Sequence, residues 1–389
     1  MPNETNELIF SSQLMLPLFH TLYLEATANC NLSCQYCMTN SSKEKKSNDI
    51  PFDLIVSRIL VPAWELGTRH IEFSGGEFLC RPDAYDILEF SAKTGFKCMI
   101  VTNGTTINQT VIDKVRSICG DSVVFSMGIN SVEGLNNQTR DIALESTLRT
   151  IQLIQNNGLA VNITVTIGKY NLDEVETIFR TIDELKLPFN RLPVIPRSHP
   201  CQNMMFDKND MKSIIHPALT NYFRGYFSYT PFFLNPADYH SISRTEETEV
   251  LIPTNPSVGC WVGSLYGINA QGEVAPCPLL LDHVSGGNVL EKDLRDILFE
   301  SELFSKIVRR ENLGGKCGTC KFKFTCGGCR AMALYTSGDV FAEDPTCFID
   351  ELSPIELNEL ESQTSREFRK YQIMTKFSSL FGEDKNNIT

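Results

Sequence analysis

The sequence predicts an α/β protein: a partial barrel of six βα units, then a small cysteine-rich domain and a C-terminal helix. Short β-branched or aromatic runs alternate with longer helical patterns from Thr21 to about Pro193, the pattern of a parallel sheet with crossover helices. Beyond Val194 the alternation stops. Of the fourteen cysteines, seven lie between Cys260 and Cys347 and three more between Cys30 and Cys37.

The expected strands are Leu22 to Thr27, His70 to Ser74, Lys97 to Thr102, Ser122 to Met127, Val161 to Ile167 and Phe189 to Val194. Their near-continuous apolar character suits parallel strands covered on both faces. Asp83 is placed to N-cap the helix that Gly95 stops, Gly67 and Gly158 end two others, and Pro62 is expected to kink the first helix. Six units fall short of the eight that close a barrel, so the barrel is expected to be open, with chemistry at the C-terminal ends of its strands. The chain then divides into an N-terminal extension (1–20), a core (21–195), a bridge (196–255) with a helix near Lys208 to Phe223, a cysteine-rich domain (256–350) and a C-terminal helix and tail (351–389). In the last segment, Ser353 to Phe377 is amphipathic and Glu383 to Thr389 is polar.

Composition excludes some partners. A net charge of −12 provides no basic footprint for nucleic acid. No stretch approaches the roughly 20 apolar residues of a membrane span, so no membrane partner is expected. The acidic, polar N-terminus has no secretory pattern, which places the chain in the cytoplasm and its thiols in a reducing compartment. There the cysteines read as metal ligands or reactive thiols rather than disulfides.

Cys30, Cys34 and Cys37 follow the first strand as Cys-x3-Cys-x2-Cys. A 4Fe-4S cluster takes four ligands, so three thiolates on one loop leave an iron open for an outside ligand. A zinc site is the competing reading, but zinc favours paired Cys-x2-Cys spacings with a fourth ligand nearby. This motif, its place after strand one and the βα alternation resemble the radical S-adenosylmethionine (SAM) superfamily from about Leu22 to Val194. The resemblance implies that SAM fills the open iron site. It also implies SAM contacts at Gly75, Gly76 and Glu77 (amino group), at Asn103 in the Thr102-Asn103-Gly104 turn, at Ser126 (ribose), at Arg140 (carboxylate) and at Tyr36 (adenine). The sequence departs from the family pattern at Gly128, where an acidic residue is common two positions after the strand-four serine.

The second group runs Cys260, Gly272, Cys277, then Cys317-x2-Cys320-x5-Cys326-x2-Cys329, then Cys347. Its order resembles the seven-cysteine SPASM domain from about Gly259 to Cys347. That resemblance implies one cluster on Cys260, Cys277 and Cys329 and another on Cys317, Cys320, Cys326 and Cys347. Spacing alone also permits a zinc ribbon on Cys317, Cys320, Cys326 and Cys329. Cys201, beside His199 in the bridge, is a candidate fourth ligand for the three-cysteine cluster. Cys98 reads as core, and Cys80 and Cys119 as inert thiols.

The implied cofactors are three 4Fe-4S clusters and SAM. An external one-electron donor such as flavodoxin or ferredoxin would drive release of a 5′-deoxyadenosyl radical that abstracts hydrogen from the substrate. The first substrate reading is a peptide or protein side chain, although only about twenty residues precede strand one, too few for a leader-peptide recognition domain. The second is a small molecule such as a tetrapyrrole of haem-type biosynthesis, which the wording around Cys317 to Cys347 resembles. The third is a non-catalytic iron-sulfur electron carrier. Arg191 and Arg197 are placed either to meet a substrate or SAM carboxylate or to stand solvated at the surface, and the aromatic run from Tyr222 to Phe233 reads as core or as the lining of an apolar substrate pocket. Asp282, His283, Asp339 and Asp344 lie near cluster cysteines in sequence, but none is assigned as catalytic acid or base.

Overall fold

The computed structural model describes residues 19–39, 41–44, 48–134, 140, 142–197, 201–222, 260–323 and 326–358. The aromatic run beyond Tyr222, and most of the N-terminal extension and C-terminal helix, lie outside the described residues. Six parallel strands form the wall: β1 (Thr21–Thr27), β2 (His70–Gly75), β3 (Lys97–Thr102), β4 (Val124–Gly128), β5 (Ala160–Ile167) and β6 (Phe189–Pro193). Three short strands continue the sheet beyond β1. Of these, β7 (Leu265–Ile268) pairs parallel with β1, and β8 (Glu273–Ala275) and β9 (Gly287–Asn288) follow antiparallel. The nine strands run in the order β6-β5-β4-β3-β2-β1-β7-β8-β9, so the cysteine-rich domain extends the barrel's own sheet.

Each crossover carries helix. α1 (Phe52–Ile55) runs through a π turn into α2 (Val61–Glu65), with Pro62 in the first turn of α2. Then come α3 (Ala84–Thr94), α4 (Gln109–Cys119), α5 (Leu144–Asn156) and α6 (Val175–Glu184). α7 (Lys208–Asp210) leads through a second π turn into α8 (His216–Tyr222); α9 (Leu294–Glu300), α10 (Glu302–Ile307), α11 (Gly315–Thr319) and α12 (Arg330–Ser337) serve the cysteine-rich domain. Gly95 ends α3 at a φ of 107°, as a stop glycine should. Asp83 holds the N-cap position without capping: its carboxylate goes to the Arg81 guanidinium at 2.5 Å instead. The β4 strand starts two residues later than expected, because Gly120–Ser122 closes a tight turn first.

Burial meets the two-faced expectation in β1, which is buried throughout, and departs from it in β3 and β5, where buried positions alternate with more exposed ones. In β3, Cys98, Ile100 and Thr102 are buried against the helices, while Lys97, Met99 and Val101 are only half-buried on the lumen side. The lumen is therefore a polar-rimmed space, lined from β2 by Glu72 and from β5 by Asn162, Thr164 and Thr166.

Candidate active site and iron-sulfur sites

Cys30, Cys34 and Cys37 sit on the loop leaving β1, closed by a bridge between Asn29 and Ser42. Backbone N–H groups of Leu32 and Ser41 donate to the Cys30 and Cys37 sulfurs, both at 3.4 Å. Burial pushes the Cys30 thiol up to about 11, so a bound metal would have to hold it as thiolate. Donors aimed at sulfur suit that state.

The two glycines after β2 are required by close approach. A Cβ on Gly75 would lie 2.0 Å from the Thr27 carbonyl oxygen, and one on Gly76 1.9 Å from that of Asn29. Glu77 is fully buried and accepts from Thr102 Oγ1 (2.9 Å), the Asn103 N–H (2.8 Å) and the Leu79 N–H (3.4 Å). Its carboxylate thus ties the end of β2 to the end of β3. Asn103 donates to Asn31 Oδ1 at 2.8 Å and its amide nitrogen lies 4.0 Å from the Cys30 sulfur. Ser126 pairs with Thr164 at 3.0 Å on the lumen side.

Arg140 explains the departure at Gly128. Its Nη1 donates to the Gly128 carbonyl, and a Cβ on residue 128 would lie 2.6 Å from that nitrogen. The guanidinium fills the space an acidic side chain would use. Tyr36 is buried beside Val194 and Cys201, stacks on Tyr170 at 5.1 Å, and accepts from Asn130 at 2.6 Å. Cys201 packs in this cluster with Cys34, and Cys37 is among the charges that raise its pKa. The bridge therefore brings a thiol to the SAM-site loop, where sequence had offered it to the auxiliary cluster.

The cysteine-rich domain separates its thiols into two groups. Cys277 is influenced by Cys260 and Cys329, and Cys329 by Cys260, while burial holds the Cys277 thiol well above its ordinary value. The Cys329 sulfur also caps α12. Cys317, Cys320, Cys326 and Cys347 surround a small cavity that Lys316, Lys323 and Asp344 also line. The N–H groups of Phe322, Gly328 and Asp344 point at three of these sulfurs, at 3.4, 3.1 and 3.4 Å. Cys347, rather than Cys329, completes this ring, which is not the grouping of a zinc ribbon. Four thiols around a cavity, with N–H donors to sulfur, fit a cluster.

One polar knot joins the domain to the barrel. Arg197 donates to both Glu25 oxygens (2.6 and 2.8 Å), to Asp282 (2.9 Å) and to the Pro278 carbonyl (3.0 Å). This corrects the expectation that Arg197 meets a ligand carboxylate, since its guanidinium is committed within the protein. Arg191 is also buried, with Phe189 on the helix side of β6 near His216, and so is turned away from the lumen. Sequence reading missed Glu25, which lies 172 residues from its partner and carries no local motif. Asp282 stands out for a φ of 68°.

Two family models match: the radical SAM superfamily over residues 24–182 and an iron-sulfur cluster-binding domain, SPASM, over 260–321. The chain belongs to the radical SAM superfamily. Among curated relatives of this radical SAM/SPASM chain is the AdoMet-dependent heme synthase of Methanosarcina barkeri, 28% identical, covering 83% of this chain and 94% of the relative. The subtilosin biosynthesis protein AlbA of Bacillus subtilis is 24% identical over 83% of this chain and 69% of its own. The crystal structure of Streptococcus suis SuiB bound to S-adenosylmethionine superposes with a TM-score of 0.63 at 18% identity, covering 85% of this chain and 77% of SuiB; that likeness supports the fold. Among the described residues no helix is long and apolar enough to cross a membrane.

Proposed function

We propose that this radical SAM/SPASM protein positions a substrate for hydrogen-atom removal between the Cys30-Cys34-Cys37 loop and the Cys260-Cys277-Cys329 group, where a cluster held by the latter would supply an acceptor for the remaining electron. The observation that carries the reading is Tyr335. Its hydroxyl is buried without a hydrogen-bond partner, its ring meets His283 at 4.7 Å, and its ionisation is influenced by both Cys201 and Cys277. It is thus near Cys277 of one group and near Cys201, which packs with Cys34 of the other, and its unpaired hydroxyl is available to a substrate.

When bound, SAM and its cluster supply a 5′-deoxyadenosyl radical that takes the hydrogen atom. The protein's residues bind and aim. Cys30, Cys34 and Cys37 would hold the first cluster, and Gly75, Gly76, Glu77, Asn103, Ser126, Arg140 and Tyr36 would surround SAM. Cys260, Cys277 and Cys329 would hold an inner auxiliary cluster, and Cys317, Cys320, Cys326 and Cys347 an outer one. Tyr36, Tyr170 and Val194 exclude water from the bridge side.

For the substrate, we infer a small molecule of the tetrapyrrole class, because the heme synthase is the more similar in sequence, 28% identical against 24% for AlbA and 21% for a PqqA peptide cyclase. A peptide side chain is the second reading, favoured by relatives such as AlbA and a PqqA peptide cyclase of Gluconobacter oxydans. The test is 5′-deoxyadenosine formation by reconstituted, reduced protein with SAM and either a porphyrin carboxylic acid or a peptide fraction. Stimulation by the porphyrin supports the first reading, and stimulation by peptide alone replaces it with the second. No 5′-deoxyadenosine with all clusters present overturns the enzyme reading.

A further inference from the structure

Arg330 opens α12 directly after Cys329, yet its side chain is held inside the protein, with only 3% of the residue exposed. Its Nη1 donates to the Val340 and Ala342 carbonyls at 3.0 and 2.6 Å, Nε to the Gly328 carbonyl at 3.4 Å, and Nη2 to the Cys317 sulfur at 3.8 Å. Among the described residues, then, the guanidinium donates to carbonyls and one sulfur, and to no carboxylate. Gly328 closes over it: a Cβ there would lie 2.7 Å from Nη2 and 3.1 Å from the Cys317 sulfur. Asp344 is the acid beside this group, its own Cβ 2.9 Å from the same point. Its carboxylate is taken up by the Cys329 N–H (2.7 Å) and by the N–H and hydroxyl of Thr346 (2.9 and 2.7 Å). A guanidinium removed from water needs negative charge nearby. Asp344 supplies some of it through space, but the one atom able to carry charge that Arg330 itself donates to is the Cys317 sulfur.

We infer that Arg330 is a positioning residue for the outer cluster: it is the buried counter-charge of the thiolates of Cys317, Cys320, Cys326 and Cys347, and it raises the potential at which their cluster accepts an electron. The inference rests on those four thiols holding a cluster, as proposed above. Reduction adds one negative charge to a group that four thiolates already make anionic. A fixed cation at 3.8 Å in a low-dielectric surround stabilises that added charge more than it stabilises the oxidised form. A hydrogen bond to a ligand sulfur acts in the same direction. The rim of the cavity is different: Lys316 is half-buried and shares its charge with Glu343 and Asp350, 4.0 and 3.6 Å away, so its field at the sulfurs is largely offset.

The experiment is an anaerobic redox titration of the reconstituted full chain with dithionite, read by EPR, in which the outer cluster is the signal that disappears in Cys320→Ala. Arg330→Gln removes the charge and keeps an amide donor for the carbonyls. In that variant the equilibrium constant for reducing the outer cluster is expected to fall by about tenfold, which for a one-electron couple is about 59 mV, while the other clusters stay where they were. Arg330→Lys keeps the charge and is expected to remain within about threefold of wild type. Lys316→Gln, at the offset rim, is expected to shift the constant by less than about threefold. An unchanged potential in Arg330→Gln, or an equal shift of every cluster, overturns the tuning role. So does a fall of about tenfold in Arg330→Lys, where the charge is present and the potential is lost. Iron and sulfide content decide the case in which Arg330→Gln loads no outer cluster: normal loading of Arg330→Lys then supports the counter-charge, and failure of both variants overturns it in favour of packing. Absence of the outer cluster from the wild type overturns the proposed assignment of those thiols, a result distinct from all of these.

Discussion

The two auxiliary cysteine groups are interleaved in sequence but sit in opposite surroundings. Cys260, Cys277 and Cys329 are buried against the barrel, with Arg197 and Tyr335 beside Cys277. Cys317, Cys320, Cys326 and Cys347 ring a cavity bordered by lysines. The contrast teaches that order along the chain does not assign role: Cys326 and Cys329, three residues apart, belong to different groups. On the proposed reading the inner group would face substrate, while the outer group comes nearer to solvent at Cys320. Removing one ligand from each group puts that division to its hardest test. Cys277→Ala is expected to lower product formation by about a hundredfold or more while 5′-deoxyadenosine release persists. Cys320→Ala is expected to keep product formation within about tenfold of wild type when a small neutral reductant supplies electrons. Iron analysis should show each variant short of one cluster. Equal losses in both would erase the distinction.

The inner group's position depends on the Arg197 knot, and breaking it is the next largest effect. Arg197→Ala leaves Glu25 buried and unpaired; the side chains of Arg197 and Glu25 are 1% and 5% exposed. Losing one partner of such a pair costs about 3–5 kcal/mol, or a fall of roughly 5 °C in melting temperature. Arg197→Lys keeps the charge but not the fork that reaches both Glu25 oxygens, so it should recover less than half. Thermal unfolding of the anaerobic holoenzyme measures both. A neutral Arg197→Ala would mean that the domain is held by its β1–β7 pairing alone.

Those two pairings show what sequence could and could not reveal. The six core strands were legible because each is a sustained apolar run followed by a helical pattern, and the Cys-x3-Cys-x2-Cys motif is local. β7, β8 and β9 were not, being four, three and two residues long and set among turn residues between cysteines. The Arg197 knot joins residues 25, 197 and 282, and a contact that leaves no periodicity cannot be read from one chain. Gly128 departs from the family pattern in sequence, but its cause, the Arg140 guanidinium, sits 12 residues on and leaves no local signal. That cause is testable: Gly128→Ala should push the guanidinium aside and weaken SAM binding by about tenfold in equilibrium dialysis. Unchanged affinity would separate Arg140 from the SAM site.

The smallest effect concerns pH, and it again sets inside against outside. Glu72 projects into the lumen, and burial raises its carboxyl to about 7. The stability its protonated form supplies is complete below the ordinary value near 4.5 and is lost as pH rises through about 7. Glu72→Gln should therefore stabilise the protein by about 2 kcal/mol at pH 8 and by less than half as much at pH 5.5. On the surface, Lys208 and Lys212 hold Glu351 down to about 2. Its stabilisation is complete above pH 4.5 and fades only as pH falls toward 2, so the effect of Glu351→Gln should not change between pH 5.5 and 8. Melting curves of both variants at the two pH values decide the matter. A Glu72→Gln effect that is flat across that range would mean that water in the lumen keeps the carboxylate charged, and that the inner site is wetter than its walls suggest.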